Sequence, residues 1–104
     1  MIKLNCQALN VKLEIKMFKN KSYHGKNNIC GEKIAKLRKA NVPKMSQRML
    51  AERMQLLGID LDKNAIQRIE SGQRFVTDIE LKEFAKIFLT TCDKLLCDDS
   101  DEII

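Results

Sequence analysis

From Cys30 to Leu96 the apolar residues fall three and four apart, punctuated by residues that start or stop helices, and this spacing points to an all-α core. Cys30, Ile34 and Leu37 recur at i, i+4 and i+7, which places a first helix over Gly31 to Ala40, ended by Asn41-Val42-Pro43. Ser46 has the side chain to cap a second helix, with Leu50, Ala51, Met54 and Leu57 on its apolar face and Gly58 as its stop. Asp62 caps a third helix over Lys63 to Ser71, where Leu61 and Ile66 match a hydrophobic staple and Gly72 closes the turn. Thr77 and Glu80 form a capping box ahead of Leu81, Phe84, Ala85 and Phe88, and a short fifth helix, Cys92 to Leu96, follows Thr91. The expected architecture is a compact bundle of five helices.

The flanks read differently. From Ile2 to Met17 the period is two, first as Ile2, Leu4, Cys6 and Ala8, then one register later as Leu9, Val11, Leu13, Ile15 and Met17, which suggests a strand or hairpin. Residues 19–28 are polar, basic and aperiodic, as in a linker or mobile arm, and residues 98–104 have the composition of a frayed acidic tail. The chain of 104 residues has room for one core. It divides into an N-terminal extension, 1–28, a helical domain, 29–97, and a tail, 98–104.

Composition narrows the functional classes. Hydrophobic residues make up 44 % and charged residues 32 %, as in a folded globular protein, and no apolar run approaches the ~20 residues of a membrane span, so a cytoplasmic location is expected. The four cysteines (Cys6, Cys30, Cys92, Cys97) form no CxxC pair and the single His24 lies far from them, so no metal or cofactor is expected. Cys30 and Cys92 read as small apolar residues and Cys97 as exposed. With one histidine, no GxxxxGK loop and no Cys-His pairing motif, nothing nominates a catalytic group, and the chain reads as a non-enzyme. The net charge of +5 is uneven: residues 1–30 carry six Lys against one Glu, residues 31–78 ten basic against six acidic, and residues 79–104 three against seven. A basic front favours polyanionic partners without identifying one.

The third helix carries the sharper signal. At roughly 100° per residue, Lys63, Gln67, Ser71, Asn64 and Arg68 share one arc of about 140°, while Ile66 and Ile69 lie opposite. Any solvated helix can show a polar face. The residue types are nonetheless those that read base edges in the major groove of DNA, Arg or Lys to guanine and Asn or Gln to adenine.

Three runs in order, Gly31-Glu-Lys-Ile-Ala-Lys-Leu-Arg-Lys39, Met45-Ser-Gln-Arg-Met-Leu-Ala51 and Asn64-Ala-Ile-Gln-Arg-Ile-Glu-Ser-Gly72, together with the capped fourth helix, resemble the Cro/repressor (Xre) family of helix-turn-helix DNA-binding domains. The resemblance implies a phage-repressor-like fold and a sequence-specific transcriptional regulator, a repressor of double-stranded DNA targets. By it, Lys63, Asn64, Gln67 and Arg68 read bases; Ser46 and Gln47 open the second helix against a phosphate; Lys44, Arg48 and Arg74 are further phosphate contacts or plain surface charges; and Arg38 and Glu70 form a structural ion pair. A homodimer is expected, because one helix reads only a few base pairs. The chain departs from the family in its longer connections, Gln55 to Asp62 and Asn41 to Met45, which bears on how the third helix meets a groove. The alternative reading is a protein-interaction module, such as an antitoxin or a regulator's partner.

Overall fold

The computed structural model describes residues 25–97, and the helices expected from the periodicity form there: α1 (Gly31–Ala40), α2 (Gln47–Leu56), α3 (Lys63–Glu70), α4 (Asp78–Ile87) and α5 (Cys92–Leu96). No strand occurs among the described residues. The strand or hairpin expected in residues 2–17 and the acidic tail lie outside them.

Four of these helices begin on a side-chain oxygen. Ser46 accepts from the Met49 amide at 3.1 Å, Asp62 from Ala65 at 2.7 Å, Thr77 from Glu80 at 3.2 Å and Thr91 from Lys94 at 3.1 Å. Glu80 reaches back to the Thr77 amide at 3.0 Å and completes the capping box. Each cap satisfies a backbone donor that the helix itself leaves open, worth about 1 kcal/mol.

The ends share one device. After α2, α3 and α4 the next residue but one takes a left-handed conformation, Gly58 at φ +87°, Gly72 at φ +84° and Leu89 at φ +52°. The following amide then reaches back to an open carbonyl: Ile59 to Met54, Gln73 to Arg68 and Thr90 to Ala85, the Schellman pattern. At the first of these turns the expectation for Leu57 is corrected. It is 43 % exposed, because the reversal at Gly58 brings Ile59 and the fully buried Leu61 back to the core in its place. Similarly, α3 ends at Glu70, with Ser71 as its C-cap.

One apolar cluster holds the helices together. It gathers Ile34 from α1, Leu50 and Met54 from α2, Ile66 and Ile69 from α3, Phe84 from α4 and Leu95 from α5, with Cys30, Met45 and Leu61 from the connections. α3 packs against both α1 and α2, so its apolar side is spent on the core. Burial pushes the Cys30 thiol up to about 11, consistent with a packed apolar residue. Cys97 is partly buried rather than exposed.

The N-terminal boundary also shifts. Residues 19–28 read as a linker, yet Lys26, Asn27 and Asn28 are built into the domain. The Asn27 amide donates to Gly72 O at 2.8 Å, and the Asn28 side chain donates to Ile69 O and Arg74 O at 3.0 and 2.7 Å. α1 starts directly on this junction: a Cβ on Gly31 would run into the Ile69 carbonyl and Asn28 Oδ1. Glycine to alanine inside a helix ordinarily stabilises by about 1 kcal/mol. Here the sign reverses. Gly31→Ala should lower the urea midpoint, the same substitution elsewhere in a helix being expected to raise it.

Candidate nucleic-acid interface

α3 presents two chemically distinct sides. Ala65, Ile66 and Ile69 are buried, whereas Lys63, Asn64, Gln67 and Arg68 are all exposed. None of these four side chains has a hydrogen-bond or ion-pair partner among the described residues. Ser71, at the end of the same polar arc, is exposed but donates its hydroxyl to Arg68 O at 3.2 Å.

Beside the start of α3 lies an open groove of about 780 Å3, lined by Lys44, Ser46, Gln47, Arg48, Met49 and Lys63, with Arg38 and the buried Met45 completing it. The structure therefore brings together residues scattered from Lys44 to Lys63. Their electrostatics are alike. α1, α4 and α5 each have an acid in the first turn (Glu32; Asp78 and Glu80; Asp93), which suits the positive end of the helix dipole. α2 and α3 have none, and carry Arg48 and Lys63 there instead. At α2 the Arg48 charge and the dipole add, so that start favours an anion, whereas at α3 the capping Asp62 carboxylate stands against Lys63. Arg48 is held only loosely by Glu52 at 3.9 Å, with both side chains exposed, a geometry worth little.

Behind the groove sits a charged clamp. Arg38 on α1 donates through Nε and Nη2 to the two carboxylate oxygens of Glu70 on α3, at 2.7 and 2.9 Å, and through Nη1 to Met45 O at 3.1 Å. The expected Arg38–Glu70 pair is thus formed, with side chains only 11 % and 8 % exposed. Glu70 also accepts from Gln47 Nε2 at 2.9 Å. This places Gln47 differently from the reading by resemblance: its amide NH2 group faces the clamp, and what it leaves at the groove is the backbone at the first position of α2.

Arg74 stands apart from the groove. Its guanidinium donates to both carboxylate oxygens of Glu80 at 3.0 and 3.1 Å and to Phe75 O at 2.9 Å. Hydrogen bonding to the Glu80 carboxylate raises the Arg74 pKa, so its charge is permanent and locally matched. Burial acts to raise Glu80, but hydrogen bonds from Arg74 and Thr77 outweigh it and hold the carboxyl below its ordinary value. The sequence reading found Glu80 as a cap partner and missed its second role. It also missed Asn27 and Asn28, whose only signal is cap-forming chemistry just ahead of the first helix. Among the described residues no cluster of His, Cys, Asp and Glu could hold a metal ion, and no helix is long and apolar enough to cross a membrane.

No family model, curated protein or solved structure matches the chain.

Removing one half of the clamp leaves a poorly hydrated charge behind, so Glu70→Ala should destabilise the domain by about 3 kcal/mol in urea unfolding, more than truncation of an exposed ion-pair residue. Glu80 gives a pH signature. Its folded pKa is depressed, so its contribution is present above the unfolded value near 4.3 and is lost as pH falls through the lower folded value. The urea midpoint should therefore fall on acidification below about pH 4, and Glu80→Gln should flatten that part of the profile.

Proposed function

We propose that this chain is a sequence-specific double-stranded DNA-binding regulator of the Cro/repressor type, a repressor in which α2 and α3 act as the helix-turn-helix pair. The observation that carries the reading is the exposed polar face of α3, with Lys63, Asn64, Gln67 and Arg68 unpartnered on a helix whose opposite side is fixed in the core. A helix held in this way enters a major groove as a rigid body, and its side chains have the forked and amide groups that base edges require. The groove at the start of α2 supports the same reading. Lys44, Arg48 and the first backbone amides of α2 would seat a phosphate beside the reading helix, with Ser46 occupied in capping and Gln47 in bracing. Arg74 we assign to the domain's own ion pair in place of DNA.

The residues divide into two functional groups on this account. Lys44 and Arg48 supply affinity that is indifferent to sequence, and α3 supplies discrimination. A homodimer follows as the simplest way to lengthen the site, since two copies of α3 read two half-sites.

Selection from random duplexes should yield a palindromic site, bound with an affinity that falls steeply with salt as counterions are released. Replacing Lys63 and Asn64 by Ala should lower discrimination between that site and random duplex by roughly 1 to 3 kcal/mol per lost bidentate contact, measured by competition binding. Affinity that ignores salt, or discrimination that survives the double substitution, would sink the assignment.

A further inference from the structure

We infer that Asn28, assisted by Asn27, is a positioning residue for the reading helix, setting the pose of α3 from a segment outside the helix-turn-helix pair; the inference rests on the duplex-reading role proposed for α3. The turn that closes α3 offers its carbonyls to both of these residues. Asn28 Nδ2 bridges Ile69 O and Arg74 O, Asn27 Nδ2 donates to Gln73 O at 2.9 Å, and the Asn27 amide donates to Gly72 O. Asn28 Oδ1 simultaneously accepts the Gly31 amide at 2.8 Å, so one side chain ties the first residue of α1 to the last turn of α3. The junction is tight on both sides. Gly31 has no room for a Cβ against the Ile69 carbonyl, and Gly72, already at positive φ, has the Lys26 side chain lying where its Cβ would be.

Such an anchor matters because of what stands at the other end of α3. The lengthened Leu57–Asp62 connection is itself packed, with Leu61 buried in the core and its carbonyl accepting from Gln55 Nε2 at 2.9 Å. Base contacts demand placement within about 0.5 Å and 10–20°. The near end of α3 is set by this connection and the Asp62 cap, and the far end by Arg38–Glu70 on one side and Asn28 on the other. The phosphate-seating groove at the start of α2 has no contact with Asn28, so loss of the anchor should cost discrimination and spare non-specific affinity.

Asn28→Asp separates these roles, since aspartate retains an acceptor for the Gly31 amide and loses the donors to Ile69 O and Arg74 O. In the full chain, well below its melting temperature, the variant should lose about tenfold in discrimination between the duplex selected by the unmodified chain and random duplex, comparable to one bidentate base contact. Its affinity for random duplex and the salt slope should stay unchanged. Leu95→Val in the α5 core serves as the control, lowering stability while leaving the hydrogen bonds between Asn28 and the end of α3 in place. Discrimination unchanged in Asn28→Asp, or reduced equally in Leu95→Val, overturns the inference while the DNA-binding reading stands. An unmodified chain that selects no duplex overturns both.

Discussion

Three helices and one loop depend on the carboxylate of Glu70. Arg38 grips both of its oxygens from α1 while holding the Met45 carbonyl, and Gln47 adds a third donor from the first position of α2. A planar fork can make all of these bonds at once, which a lysine cannot, and burial makes each bond stronger than it would be in water. The consequence is geometric. The loop that carries Lys44, the capped start of α2 and the end of α3 are referred to one point, so the groove between them keeps its shape without any ligand in it.

Charge is sorted around that point. On the side of the groove, helix dipole and cation reinforce one another at the start of α2, while at α3 Lys63 is offset by the capping Asp62. Away from it, Arg74 and Glu80 neutralise each other, and α4 and α5 begin with acids of their own. A fold selected only for stability gains from acids at every helix start. Leaving the start of α2 cationic raises the local positive potential there.

The connection between α2 and α3 is one of several contacts that hold α3. The stretch through Gly58 and the buried Leu61 joins the two helices, and contacts along α3 itself add to it. Its apolar side is wedged into the cluster by Ile66 and Ile69, its start is capped by Asp62, and its end is gripped by Glu70 and by the asparagines ahead of α1. The asparagines ahead of α1 and Arg38 within it thereby take part in setting the orientation of α3.

What sequence determined here is local. Cap chemistry at Ser46, Asp62, Thr77 and Thr91, and apolar spacing at Ile34, Leu50, Ile66 and Phe84, act over one or two turns, so the helices, most of the core and the polar face of α3 were legible from the residues alone. Leu57 was misread because a helical period carries no information about where a reversal such as that at Gly58 redirects the chain. The partners of Gln47, Arg74 and Asn28 could not be read either. Each lies across the fold or has several chemically equivalent choices nearby, and hydrogen bonding by type does not specify direction. Which asparagine becomes an anchor, which arginine is neutralised and which way a glutamine turns were settled only when packing of the apolar faces brought the ends of α1, α2 and α3 to one place, where satisfying buried donors and acceptors left a single arrangement.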